Sequence, residues 1–404
     1  MTNQITSPRL HMVDALRGFS LAGVALVHMT EQYVAGPQPE GFMSGINSIP
    51  DHIVSGLIQL IFVGKFFALF SILFGLSFFI QMESADRKGQ SFAIRFLWRA
   101  TLLFGIGYTH QLFYRGDILT IYAMLTPFLI PFYRLSNKAI FITAMACFIG
   151  IPKFISYAVF GNESLFGLPS FISGPSELEQ VYFDTISTGT ISEVFGLNAV
   201  YGMKTKMDFQ LMFFGRFYYS FGYFLIGLLI GKMGFFHDVG KHKKFIQEIL
   251  KWSAVGAFVS IGIGIGVFSQ ASQPIDFSSW LHVLAMNFMD WANLCLAMVI
   301  LSGFVLLYQK SRWQKFQNFF IPYGRMALSN YLFQALIGTY LLFGWGLGYI
   351  GQIRTAHLAL AAIALVVLQT LISKLWLSKF KYGLLEWVWR CGTHLKLYPL
   401  RNSD

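Results

Sequence analysis

Long apolar segments broken by short polar connections run through almost the whole chain. Stretches of about 20 predominantly apolar residues match the thickness of a bilayer core when wound as a helix. They predict membrane helices over about 12–30, 56–82, 95–114, 118–134, 138–160, 209–233, 249–270, 279–308, 321–343 and 355–377. Pro152 is expected to bend the fifth of these. A polar stretch over about 161–207 carries Glu163, Glu177, Glu179, Asp184 and Glu193 and is expected to lie outside the cytoplasm, between helices. The fold class is therefore all-α: one integral membrane domain, a polytopic transmembrane helical bundle of about ten helices. The glycines Gly256, Gly262, Gly264 and Gly266 lie in apolar helix and suit close helix packing.

Charge gives the bundle an orientation. Cations gather in alternate connections: Arg9; Arg87, Lys88, Arg95 and Arg99; Arg134 and Lys138; Lys241, Lys243 and Lys244; Lys310, Arg312 and Lys315. The opposite connections carry Glu31, Glu40, Asp51 and Asp117. By the positive-inside rule both termini are expected in the cytoplasm. The tail from Lys379 contains YGLLEWVWRCGTHLKLY, which mixes cations with Trp, Leu and Tyr. It reads either as an amphipathic helix on the cytoplasmic leaflet or as a tail packed on the bundle.

Composition agrees with a membrane protein. Only 12% of residues are charged, against about 25% in a soluble domain. The net charge of +11 is scattered over short loops rather than gathered into a patch, so nucleic acid is a poor partner and the lipid bilayer the expected one. Cys147, Cys295 and Cys391 are far apart and predict neither a disulfide framework nor a metal site. No cleavable signal is expected, because the first apolar segment holds Asp14 and Arg17. The sequence contains no Walker A loop, HExxH, GxSxG or dinucleotide fingerprint.

Ionisable groups inside apolar spans are costly and usually face a cavity or a partner. In the first helix Asp14 and Arg17 are three apart and share a face. Arg17 and His28 are eleven apart, close to three turns, so they share a face roughly 16 Å apart along the axis. Asp14 and Arg17 either neutralise each other or present the guanidinium to an anionic ligand. Lys65 either snorkels or stands in a cavity. His110 and Tyr114 are four apart on one face, and Asp117 is placed to cap the next helix. With His28 these three fall at the outer level of the membrane and would form a general acid–base cluster if brought together. Asn287, Asp290 and Asn293 make a polar line in the eighth helix. Arg325, Ser329, Asn330, Tyr331 and Gln334 do so in the ninth, as helix–helix hydrogen bonds or as a cavity lining. Arg216 is either a cavity residue or an interfacial anchor.

The blocks RLHMVDALRGFSLAGV, ALFSILFGLS, YRGDILTIYA, GRMALSNYLFQ and GWGLGYIG together resemble the YeiB-like family of bacterial membrane proteins of unknown function, over essentially the whole chain. The first helix also resembles the broader transmembrane acyltransferase superfamily, whose signature is an arginine, ten intervening residues and a histidine. Arg17 and His28 stand in that relation. The resemblance implies a bacterial cytoplasmic membrane and an acyl group passed from cytoplasmic acyl-CoA to an extracytoplasmic glycan or lipid. Acyl-CoA would be a co-substrate, with no bound cofactor and no metal. Arg17, Asp14, Arg325 and Asn330 would hold the donor, and His28, assisted by His110, Tyr114 and Asp117, would act on the acceptor. Lys65, Arg216, Asp290, Ser329 and Gln334 are the expected cavity residues. The alternative is a transporter of a small molecule using the same polar interior, with Asp14, Asp290 and His28 as proton-coupling groups.

Overall fold

The computed structural model describes residues 11–36, 38–39, 41–89, 93–161, 163–168, 176–236, 238–270 and 279–402. Arg9, Glu40 and part of the 161–207 stretch lie outside the described residues. The described elements are helical, apart from an isolated bridge between Phe380 and Arg401. In chain order they are α1 (His11–Thr30), α2 (Ile49–Ile61), α3 (Lys65–Asp86), α4 (Ala93–Phe113), α5 (Leu119–Phe132) and α6 (Asn137–Ile149). Then come α7 (Ile151–Phe160), α8 (Glu177–Thr188), α9 (Ile191–Leu197), α10 (Met203–Asp208), α11 (Arg216–Lys232) and α12 (Val239–Phe268). The last six are α13 (Trp280–Tyr308), α14 (Ser311–Asn318), α15 (Ile321–Arg325), α16 (Ala327–Leu342), α17 (Thr355–Lys379) and α18 (Leu384–His394).

Each apolar segment is helical, but not each is an uninterrupted span. Among the described residues α1, the α2–α3 run, α12, α13 and α17 are long and apolar enough to cross a membrane. The count rises to seven if two bent pairs are each one span: α6 with α7, bent by 47°, and the run Ile191–Met212 with α11, bent by 67°. The expected second helix, 56–82, begins earlier, at Ile49, and is interrupted at Phe62–Gly64. The expected bend in the fifth falls at Gly150, two residues before Pro152. The polar stretch, to which the sequence assigned no element, folds into α8, α9 and α10 with π-helical turns at Asn198–Gly202 and Phe209–Phe213.

Helix α1 is the centre of the bundle. It packs on α3, α15, α16 and α17, and Ala15, Leu16, Leu21 and Ala25 are almost fully buried. Helix α12 is the opposite case. It leans on α13 and turns Trp252, Phe258, Val259 and Ile265 outward. Large exposed apolar faces of this kind belong against lipid. The start of α2 is tied to the start of α17 by Asp51, which accepts from Arg354 Nη2 at 2.7 Å and from the Ala356 amide at 2.9 Å. At the far end, α18 is stitched to α4 by Trp98 donating to the Gly392 carbonyl (2.9 Å) and Trp389 to the Arg99 carbonyl (3.0 Å). The tail thus packs on the bundle.

Of the expected glycines two are tight, Gly256 against Cys295 and Gly264 against Met289, while Gly262 and Gly266 stand in open space. The close approach is between α3 and α11, where a Cβ on Gly75 would strike the Phe224 carbonyl and one on Gly227 the Ile72 carbonyl. Backbone cannot step aside as a flexible side chain can. Gly227→Leu should therefore cost about 1–3 kcal/mol or more, while Gly262→Leu leaves stability unchanged. Thermal unfolding of the two variants in detergent measures this, and equal loss in both would contradict the packing described.

Candidate functional site

The turn between α4 and α5 brings the polar side chains together. Asp117 precedes α5, and its carboxylate accepts from the Leu119 amide (3.2 Å), the Thr120 amide (2.9 Å) and the Thr120 hydroxyl (2.8 Å). That is the capping role its position predicts. The same carboxylate also accepts from His110 Nδ1 at 2.9 Å and lies 3.7 Å from Lys206 Nζ. All three side chains are buried. Lys206, on α10, donates further to Gln111 and to the Thr120 hydroxyl. Since a carboxylate can only accept, Nδ1 of His110 carries the proton. Nε2 is left buried with no hydrogen-bond partner. An imidazole oriented by a carboxylate on one nitrogen and open on the other is the arrangement of a general base.

The sequence-predicted cluster does assemble. His28, from the end of α1, has its ring centroid 4.9 Å from that of Tyr114 and 6.2 Å from that of Tyr331. His110 is 4.7 Å from Tyr331 and 6.1 Å from Tyr114. Two tyrosines therefore lie between two imidazoles, and His28 Nδ1 is also buried without a partner. His28 and Tyr331 line a cavity of about 120 Å³ whose walls are otherwise mainly apolar.

A larger cavity, about 520 Å³, lies at the Arg17 end of α1. Arg17 lines it, held by Asp14 at 2.9 Å and donating to the Ser77 hydroxyl at 3.1 Å. Arg325 lines it as expected, and Arg99 and Arg390 complete a set of four arginines. Arg99 stacks on Trp389, 3.4 Å from the ring centroid, and Arg390 stands near Tyr382 and Tyr398. The one carboxylate in the lining is Glu386, whose Oε1 accepts from the Leu328 and Ser329 amides at the start of α16 (2.7 and 3.1 Å). Burial pushes the Glu386 carboxyl above the usual carboxylate range, while the Ser329 hydroxyl and these amides pull it back. Phe70, Tyr122 and Tyr331 line both cavities.

Other expected residues have different employment. Asn330 donates to the Tyr323 carbonyl and to Ser373, and Ser329 bonds to Glu386. Gln334 accepts from Tyr323. These three link helices and line neither cavity. Lys65 donates to the Gln59 carbonyl, and Arg216 pairs with Asp290; neither lines a cavity described above, although Gly64 and Phe66 beside Lys65 line the smaller one. Residues the sequence reading passed over hold the cluster from outside. Arg115 grips Glu179 with two hydrogen bonds (3.1 and 2.9 Å), stacks on Tyr182 and donates to the Val34 carbonyl (2.9 Å). This clamp fastens α8 over the α4–α5 turn. Arg115 lies inside the YRGD block and could have been suspected; Glu179 and Lys206 carry no local signal. Burial pushes the carboxyl of Glu31, just past α1, up to about 7.

The fold and the buried polar centre define an all-helical, polytopic membrane protein. A family model described as "Protein of unknown function (DUF418)" matches residues 230–396. The chain is 26% identical to the uncharacterized protein YxaH of Bacillus subtilis (strain 168), covering 99% of this chain and 98% of that one. It is 26% identical to an uncharacterized 39.9 kDa protein of Bacillus acidopullulyticus (97% and 96% covered). It is 25% identical to the uncharacterized protein YeiB of Escherichia coli (strain K12), with 94% of each covered. The chain is thus similar along nearly its whole length to bacterial proteins that are themselves uncharacterized.

The ion pair at the cluster's base yields a direct test. Asp117→Asn leaves Lys206 buried without its counter-charge, at an expected cost of about 3 kcal/mol. Adding Lys206→Met should restore a large part of it. A double-mutant cycle on thermal unfolding measures the coupling, and simple additivity would rule the pairing out.

Proposed function

We propose that this protein is a membrane acyltransferase that takes an acyl group from acyl-CoA and passes it to a hydroxyl or amine of an extracytoplasmic glycan or lipid. The observation that carries the reading is the pair of adjoining cavities. One is ringed by Arg17, Arg99, Arg325 and Arg390, and the other is lined by His28. Guanidinium groups bind phosphate by paired hydrogen bonds, and the donor is a polyphosphorylated thioester. Cations concentrate at the arginine end, which the positive-inside rule assigns to the cytoplasm.

Chemically, the acceptor O–H or N–H adds to the thioester carbonyl while an imidazole takes its proton. The tetrahedral intermediate collapses with loss of the C–S bond. The proton passes to the thiolate, giving free CoA and the acylated acceptor. His110 is the better-oriented base, because Asp117 holds its Nδ1 and leaves Nε2 open. His28 stands across Tyr114 and Tyr331 from it. The tyrosine hydroxyls are suitable donors to a developing oxyanion.

A second reading, transport of a small molecule, is favoured by the two bent helix pairs, a feature of transporter binding sites. Purified protein supplied with labelled acetyl-CoA separates the two. His28→Ala and His110→Ala should each lower acyl transfer at least about a hundredfold. Arg99→Ala and Arg390→Ala should raise KM for the donor about tenfold with kcat little changed. Equal transfer by wild type and both histidine variants would sink the role of the cluster. Solute movement in proteoliposomes without any acyl donor would decide for transport.

A further inference from the structure

A second buried charged centre lies where three chain breaks meet α13, one of which, at Gly64, also lines the smaller cavity. Each break is a glycine with positive φ: Gly64 (81°), Gly150 (87°) and Gly215 (58°). Each is followed by the N-terminus of a helix, α3, α7 or α11. All three breaks face the polar line of α13 or the side chains bound to it. A Cβ on Gly64 would lie 2.9 Å from Asn293, and one on Gly150 2.5 Å from Asn287. A Cβ on Gly215 would lie 3.2 Å from Lys153, which pairs with Asp290. Part of the polar line therefore has a structural task. Asn287 donates to the Ile149 carbonyl and Trp291 to the Phe148 carbonyl, both freed by the break at Gly150.

The charges are not accounted for in this way. Lys65 opens α3, Arg216 opens α11, and Lys153 lies in the first turn of α7. Arg216 Nη1 lies 2.9 Å from Asp290 Oδ1, and Lys153 Nζ 3.5 Å from Asp290 Oδ2. Lys65 follows Gly64, which faces Asn293, one turn along α13 from Asp290. Three cations against one carboxylate leave two positive charges. Three helix N-termini add their partial positive charges to the same place. Lys153 Nζ is fully buried and makes no hydrogen bond. Its side chain is 2% exposed and that of Asp290 5%, while Arg216 is 19% exposed. Uncompensated charge of this kind is expensive in the interior of a membrane protein. Helix N-termini converging with cations are an anion-binding arrangement.

We propose that Lys65, Lys153 and Arg216, at the N-termini of α3, α7 and α11, form a binding site for a phosphate group. The two excess positive charges match a phosphate monoester, which carries about −1.5 to −2 near neutral pH. The phosphate belongs either to a soluble ion or to a lipid headgroup. The site does not depend on the acyl-transfer reading, because Lys65, Lys153 and Arg216 line neither cavity.

Two probes separate the sources, each applied to the purified full-length protein in non-ionic detergent. Inorganic phosphate is followed by equilibrium binding of the radiolabelled ion. Phosphatidic acid is compared with diacylglycerol, which lacks the phosphate, by native mass spectrometry. Saturable binding of either phosphate probe is the expected result, and the probe that binds identifies the source. Lys153→Gln and Arg216→Gln should each weaken it about tenfold or more. Asp290→Asn, which removes the competing carboxylate, should tighten it. That gain distinguishes an anion site from cations present only to neutralise Asp290, and it decides the matter if the cation variants fail to fold. Absence of saturable binding of both probes to the wild type would overturn the proposal, as would affinities unchanged by Lys153→Gln or not improved by Asp290→Asn.

Discussion

The carboxylate of Asp117 is the constraint on which the histidine cluster depends. A buried carboxylate is tolerated only when its lone pairs are used and its charge is met. Here the acceptors are filled by the first turn of α5 and by His110, with Lys206 as the nearby cation. The partners come from α4, α5 and α10, three elements that no local sequence preference would bring together. Capping and chemistry are thus one interaction. The hydrogen bonds that start α5 also hold the acceptor that orients His110 and leaves its second nitrogen open.

From that carboxylate outward, the bundle separates its charged groups by task. Asp14 and Ser77 hold Arg17 at the edge of the larger cavity. Glu386 completes the start of α16, which is why the tail cannot be removed from the bundle without exposing helix amides. Arg115 and Glu179 carry their paired charges to fasten α8 over the α4–α5 turn. Asp14 with Arg17 and Glu179 with Arg115 are matched ion pairs, whereas Asp290 faces both Lys153 and Arg216.

The sequence made the helical class legible because the apolar segments are long and the charges that interrupt them sit at their ends. The site was legible where its members share a helix: Arg17 with His28 by the turn count, and His110 with Tyr114 by their spacing. Asp117 could be read as a cap from its position after Gly116. What was hidden is long-range. Arg99 and Arg390 look like ordinary loop and tail cations, and only the docking of α18 on α4 turns them into a cavity wall. Lys206 and Glu179 lie in a stretch too polar to suggest a packed element, yet both are buried because ion pairs and hydrogen bonds compensate them. Asn330 and Gln334 show the opposite error. Amides in an apolar helix invite a functional reading, but these satisfy neighbouring helices.

The wall between the two cavities bears on what could pass along α1. Phe70, Tyr122 and Tyr331 form it. Tyr122 is hydrogen-bonded to Ser71 at 2.6 Å, and Tyr331 accepts from the Ile118 amide at 3.3 Å. Displacing these rings would break both bonds, and an unmade buried hydrogen bond is costly. The wall is therefore a hydrogen-bonded partition, and a change at either tyrosine would alter both cavities at once.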